Sequence, residues 1–218
     1  MRTCLALFLL TATSLFADTL TYNFENQLVQ TSSISPNSHP GLLLSVTQTS
    51  GTVALVVTRQ NADTFDLVDL SSYVPTWGHY TLDPFHDETA AADAFVFTFS
   101  QAIYSFSVQV GDFGLDSDTE TLAAYSGAAG TGSLIASATG NWGTQDLSAN
   151  PPQTDTISSA TPFTSVLVTG GSVQDPNSLY FDNVVASTTP VPEPAPVLLL
   201  LPAAIALTWI GIRRARQA

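Results

Sequence analysis

The chain is predicted to be an all-β protein whose central part forms an antiparallel, jelly-roll-like β-sandwich. Apolar runs of about five to eight residues, rich in Val, Phe, Tyr and Thr, are separated by clusters of Gly, Pro, Asn, Asp and Ser. Phe95, Phe97 and Phe99 occupy alternate positions, which is the period of a strand with one buried face. Between the two termini, no stretch shows the period of an amphipathic helix. About nine or ten short strands at this spacing indicate two packed sheets.

Residues 1–17 are predicted to be a secretory signal peptide. Arg2 supplies the charged start, residues 5–10 the apolar centre and Ala17 the small residue before the cleavage point. The single cysteine, Cys4, lies in this segment. The mature chain would therefore have no cysteine for a disulfide, a thiol nucleophile or a zinc ligand.

Residues 18–187 are predicted to form the sandwich, and this length suffices for a core without covalent staples. The alternation that begins at Phe95 continues in a segment whose predicted core side is Tyr104, Phe106, Val108 and Val110. Further segments with strand composition lie at 19–24, 42–47, 53–58, 122–125, 134–138, 165–169 and 179–185.

The C-terminal segment carries three features in a fixed order. Pro192, Glu193 and Pro194 form a triplet in a proline-rich linker, 188–196, which should be extended. The uncharged run 197–212 is predicted to be a transmembrane helix, which at about 1.5 Å per residue is roughly 24 Å long, slightly less than a hydrocarbon core of about 30 Å. The tail 213–218 should stay cytoplasmic through its arginines, Arg213, Arg214 and Arg216.

This order of triplet, apolar helix and arginine cluster resembles the PEP-CTERM sorting signal. The resemblance implies an inner-membrane precursor in a Gram-negative bacterium, cleaved near Pro192–Pro194 by an exosortase, a membrane-embedded transpeptidase-like enzyme. It also implies delivery to the cell surface or secretion. The alternative is a plain single-pass anchor with a chance Pro-Glu-Pro linker. The stretch 95–125 resembles ectodomains often attached to this signal, most of which have no assigned activity.

The charge distribution excludes nucleic acid as a partner. The chain has no lysine, five arginines and 18 acidic residues. All of the acids lie between Asp18 and Glu193, where Arg59 is the one basic residue besides histidine. Binding of nucleic acid phosphates needs clustered Lys and Arg. An acidic surface instead suits divalent cations and a position outside the cytoplasm.

Acidic residues near a strand end predict a calcium site. Asp112 follows the alternating segment, and Asp116, Asp118 and Glu120 come next at two-residue spacing. Carboxylate oxygens on a loop suit Ca²⁺, which takes six to eight oxygen ligands, although the central Gly and distal Glu of an EF-hand loop are absent.

A second acidic pattern rests on a resemblance. Glu25 ends the first predicted strand and Asp182 lies in the last, and these segments resemble the first and last strands of carbohydrate-binding-module-like jelly rolls. The resemblance implies a structural calcium that joins the chain ends. The alternative for all of these acids is a role as solvated turn residues or caps of strand ends.

The sequence contains residue types suited to two other chemistries. Trp142, flanked by glycines in the sequence Gly-Asn-Trp-Gly, is predicted to be exposed and able to stack on a sugar ring. His79 and His86 lie among acids in the segment 77–88, but their spacing does not match the helical HExxH pattern. The chain also has no Gly-x-Ser-x-Gly elbow. The segment is therefore interpreted as a polar loop.

The sequence thus predicts a non-enzymatic, exported protein of the cell envelope or extracellular matrix. A carbohydrate-binding module acting on exopolysaccharide is the first alternative, and an extracytoplasmic hydrolase using His79, His86 and nearby acids is the second. Calcium is the one cofactor expected. The expected partners are the exosortase-type enzyme, the inner membrane and, in the first alternative, exopolysaccharide.

Overall fold

The computed structural model describes residues 19–25, 41–49, 56–58, 74–78, 81–83, 94–112, 114–144, 147 and 151–190. The predicted signal peptide, the Pro192–Pro194 triplet, the apolar run 197–212 and the terminal arginines lie outside the described residues, as do His79 and His86. Within the described ranges, no helix has the length and hydropathy needed to cross a bilayer.

The described part of the chain contains nine strands and two short 3₁₀ turns, Pro75–Trp77 and Ala128–Gly130. All of the strand pairs are antiparallel. This arrangement confirms the predicted all-β class. The strands are β1 (Thr19–Tyr22), β2 (Leu44–Gln48), β3 (Val56–Thr58), β4 (Thr81–Asp83), β5 (Phe95–Gly111), β6 (Asp118–Tyr125), β7 (Leu134–Trp142), β8 (Gln153–Gly171) and β9 (Tyr180–Ser187).

The two longest strands, β5 and β8, connect the layers of the sandwich. The strand order is β3-β4-β9-β5-β8-β6-β7, with β1 paired to β9 and β2 paired to β5. The first half of β5 pairs with β2 and with the second half of β8, which continues to β6 and β7. The second half of β5 pairs with β9 and with the first half of β8. Each long strand therefore belongs to both layers.

A sharp bend in β5 folds one layer onto the other. Phe97 and Phe106 are nine residues apart, a separation of roughly 30 Å in a straight strand, yet their ring centroids lie 5.1 Å apart. The pairing register shifts between Thr98 and Ile103 and again between Ile103 and Ser105. Such irregularities let a strand turn from one sheet into another.

The core is formed by apolar side chains from both layers. The aromatic rings of Phe95, Phe99, Phe106 and Phe181 pack in tilted or edge-to-face contacts, with centroids 5.7 to 6.5 Å apart in their pairs with one another and with Phe97 and Tyr22. These are the separations that aromatic pairs prefer. The predicted inward face at Phe95, Phe97 and Phe99 is thus confirmed.

The bend corrects two details of the sequence prediction. Tyr104 was expected on the core side, but the register shifts place Ile103 there and leave Tyr104 half-exposed. Strand β8 starts at Gln153, whereas a strand was predicted only at 165–169. Its first half is polar because, among the described strands, it pairs with β5 alone and buries little more than Ile157.

Replacement of Phe106 by Ala should lower the free energy of unfolding by about 3–5 kcal/mol, the usual cost of removing a buried aromatic side chain. Phe106 is fully buried and contacts the rings of both Phe97 and Phe99. Urea unfolding of the full chain in mild detergent, followed by circular dichroism, would measure the change. Tyr104→Ala, two positions away and half-exposed, is the matched control. Equal losses in the two variants would contradict the bend described above.

Candidate metal centre

One end of the sandwich brings together three of the predicted acidic residues. Asp112 directly follows β5, Asp116 lies in the next loop and Asp118 begins β6. One carboxylate oxygen from each residue lies within 4.8 Å of those of the other two. We refer to Asp112, Asp116 and Asp118 as the acidic triad. Among the described residues, it is the one group of three or more potential metal ligands this close together.

The acidic triad is largely removed from solvent. Asp118 is 1% exposed and Asp112 is 4% exposed. The Ser178 hydroxyl donates a hydrogen bond to Oδ1 of Asp118 at 2.9 Å, and the Gly114 N–H donates to Oδ2 of Asp112 at 2.7 Å. Oδ2 of Asp116 and Oδ2 of Asp118 are buried with no hydrogen-bond partner among the described residues. Carboxylate oxygens in this state need a proton or a cation.

No basic side chain in the described part of the chain can supply that charge. Lys, Arg and His are all absent from the described residues, which include nine acids: Glu25, Asp83, Asp112, Asp116, Asp118, Glu120, Asp155, Asp175 and Asp182. Burial raises the pKa of Asp118 to about 6, with further increases from the charges of Asp116 and Asp175. Hydrogen bonds with Ser178 and Asp112 partly offset this rise.

A pair of carboxyl groups, Glu120 and Asp155, lies next to the acidic triad. Glu120 is fully buried on the inward face of β6, two residues from Asp118. Neither of its oxygens has a hydrogen-bond donor among the described residues. Burial, the hydrogen bond with Asp155 and the charges of Asp155 and Asp118 raise the pKa of Glu120 to about 9. In the absence of a cation, Glu120 is therefore protonated at neutral pH.

The other predicted pair, Glu25 and Asp182, forms a separate group. Asp182 is fully buried in β9, and its Oδ1 accepts a hydrogen bond from the Asn183 N–H at 2.5 Å. Burial raises the pKa of Asp182 well above its usual range, and the Glu25 charge adds to the effect. Asn183 has φ 46° at an irregularity in the β5–β9 pairing. The structure thus brings Glu25 close to Asp182, but neither belongs to the acidic triad.

The expectation that Trp142 is exposed is wrong. The Trp142 side chain is 3% exposed and belongs to the hydrophobic core. Trp142 pairs in register with Asp118 across β6 and β7, and directly opposed residues point to the same face of a sheet. Its ring therefore lies on the inward side, beside the acidic triad, and is not available for stacking on a sugar.

Sequence reasoning missed Asp155 and Ser178. Asp155 lies in the polar first half of β8, and Ser178 lies in the turn before β9. Each reaches the site through long-range strand pairing, Asp155 opposite Val108 of β5 and Ser178 near the start of β9. No local spacing in the sequence connects them to Asp118. The alternating Asp and Thr residues before Ile157 were the one available signal for an edge strand.

Comparison with known proteins identifies no family for the chain. No family model and no curated protein matches it. Among solved structures, the K2 cleaved adhesin domain of Lys-gingipain (Kgp) is similar to it with a TM-score of 0.45 and 12% sequence identity. That match covers 77% of this chain and 98% of the other.

In the presence of a chelator, the stability of the protein should fall as the pH rises from about 4.5 to 9. The folded chain keeps a proton on Glu120 that the unfolded chain loses above its ordinary pKa of 4.5. The contribution is complete below pH 4.5 and is lost as the pH passes through about 9. Chemical unfolding of the full chain in EDTA across this pH range would measure the slope.

Glu120→Gln is the matched variant for this slope, because Gln keeps the shape and a hydrogen-bond donor of the protonated acid. At pH 8 in EDTA the variant should be more stable than the parent by about 1–3 kcal/mol. The difference should vanish near pH 4.5. Parallel curves for the two proteins would show that Glu120 does not titrate in this way.

Proposed function

We propose that this chain is an exported, non-enzymatic protein of the cell envelope or extracellular matrix, whose jelly-roll-like ectodomain binds calcium through the acidic triad. Its C-terminal segment holds the precursor in the inner membrane until an exosortase-type enzyme processes it near Pro192–Pro194. The mature sandwich then resides at the cell surface or is secreted.

The observation that carries the calcium proposal is the buried, unpartnered oxygen of Asp118. Its neighbours Asp112 and Asp116 offer further oxygens within 4.8 Å, and the described residues include no basic group to balance them. Ca²⁺ binds such hard oxygen sets at 2.3–2.6 Å and fills its remaining positions with carbonyls and water. Sites of modest affinity are typical of extracellular modules, for which dissociation constants of about 10⁻⁴ to 10⁻³ M suffice.

The sorting proposal is supported by the amino-acid sequence. The triplet Pro192, Glu193 and Pro194 precedes an apolar run and a terminal arginine cluster in the PEP-CTERM order. The described part of β9 ends at Ser187 and leads directly into this linker.

The two alternatives are less well supported. Burial of Trp142 removes the ring that is predicted to stack on a sugar in the carbohydrate-binding alternative. The hydrolase alternative depends on His79 and His86, which lie outside the described residues.

Calcium should raise the melting temperature of the full chain, and EDTA should reverse the change. At a calcium concentration about 100-fold above the dissociation constant, the expected stabilisation is about 2.7 kcal/mol, or roughly 5–10 °C for a domain of this size. The effect should weaken below about pH 6, because calcium must displace the proton from Asp118.

Asp118→Asn tests the assignment because it removes the charge and keeps the shape. The variant should lose the calcium-dependent shift, whereas Asp175→Asn, which changes a nearby acid outside the acidic triad, should keep most of it. Terbium luminescence gives a second measurement, since Trp142 pairs with Asp118 and can sensitise a bound lanthanide ion. A melting temperature that changes with neither calcium nor EDTA would contradict the proposed calcium site.

Deletion of Pro192–Pro194 in the native host should block maturation. The precursor should accumulate in the inner membrane and keep its C-terminal arginines, because the processing enzyme lacks its recognition triplet. Mass spectrometry of the intact protein from cell fractions would detect both forms. An unchanged mature mass and location after the deletion would show that the triplet is not a sorting signal.

A further inference from the structure

We infer that Glu120 and Asp155 form a second cation position, adjacent to the acidic triad and distinct from it. This inference rests on the proposed calcium-dependent function for the kind of ion, a hard divalent cation such as Ca²⁺. The position itself is argued from the burial and surroundings of Glu120.

The first step concerns the isolation of the Glu120 carboxylate. Its side chain is fully buried, and both of its oxygens lack a hydrogen-bond donor among the described residues. The ionisable groups that act on it among the described residues are both acidic: Asp155 from β8 and Asp118 from its own strand. A buried carboxylate that faces only other carboxylates is strongly unfavourable unless positive charge is added.

The second step concerns the space around Glu120. Gly140 of β7 and Gly170 of β8 lie opposite Glu120 on the two neighbouring strands. A Cβ atom on Gly140 would overlap Oε1 of Glu120 and would lie 2.7 Å from Oδ1 of Asp155. A Cβ atom on Gly170 would lie 3.3 Å from Cβ of Glu120. The absence of a side chain at Gly140 thus leaves room for the two carboxyl groups, whereas the Leu179 side chain fills the corresponding position at Gly170.

The third step concerns the ligand oxygens. Oε1 of Glu120 and Oδ1 of Asp155 border the same space. The Gln153 amide donates to both oxygens of Asp155 at 3.1 Å, which holds that carboxyl group in place. Carboxylates oriented by hydrogen bonds from neighbouring residues are characteristic of metal ligands.

A shared proton is the competing way to neutralise this pair. Protonated Glu120 donating to Asp155 needs no ion and satisfies one oxygen. The two arrangements differ in the number of cations bound per chain. A cation position adds one bound ion, whereas a shared proton adds none.

Equilibrium dialysis of the full chain in detergent with radioactive calcium at pH 8 would separate them. We expect two ions per chain for the parent protein and one for Glu120→Gln or Asp155→Asn. Asp116→Asn should weaken calcium binding at the acidic triad about tenfold or more and leave the Glu120 position occupied. Far-ultraviolet circular dichroism would confirm that each variant keeps its β-sheet content.

Each outcome bears on one of the two proposals. A single ion per chain that is lost in Asp116→Asn and kept in both Glu120→Gln and Asp155→Asn would overturn this inference and leave the proposed triad site intact. A single ion that is lost in Glu120→Gln and kept in Asp116→Asn would overturn the proposed triad site and leave this inference intact. Absence of bound calcium from the parent protein would overturn both.

Discussion

One end of this protein is constrained by the need to neutralise buried carboxylates that have no basic partner among the described residues. Strand β6 begins with Asp118 and Glu120 at alternate positions, so both point inward where Leu122 and Ala124 follow. Two of the inward positions nearest the loop are therefore acidic instead of apolar. The described residues provide no Lys, Arg or His to meet them. Within the described part of the chain, only protons or bound cations can therefore neutralise these carboxylates.

This constraint divides the sandwich into two parts with different sources of stability. Near the middle of β5, packed aromatic rings stabilise the fold in any medium, because apolar burial depends little on pH or ions. At the acidic end, the free energy of unfolding depends on whether protons or cations neutralise the carboxylates. Leaving a buried charge without a neutralising partner costs several kcal/mol, which is a large fraction of the net stability of a domain.

The sequence allowed the core to be predicted better than the site. A half-buried strand could be predicted from the alternation of Phe95, Phe97 and Phe99, because a period of two is a local property of the chain. The acidic triad was also found from local spacing. Asp155, however, reaches Glu120 only because the first half of β8 pairs with β5 and the second half pairs with β6. The prediction that Trp142 is exposed was wrong for a related reason. Its side chain points inward because it pairs in register with Asp118, and the register of two strands depends on tertiary pairing.

The direction of β9 sets where the acidic end lies relative to the point at which the chain leaves the sandwich for the linker. Tyr180 pairs with Gly111, next to Asp112, whereas Ser187 pairs with Ser105, next to the bend. At about 3.3 Å per residue, the seven steps from Tyr180 to Ser187 therefore separate the acidic end from the bend by roughly 23 Å. The linker leaves from the Ser187 end, and Thr19 of β1 pairs with Ser187 at that same end. Cutting the linker therefore removes no ligand from the acidic triad, because all of its members lie at the opposite end of the sandwich.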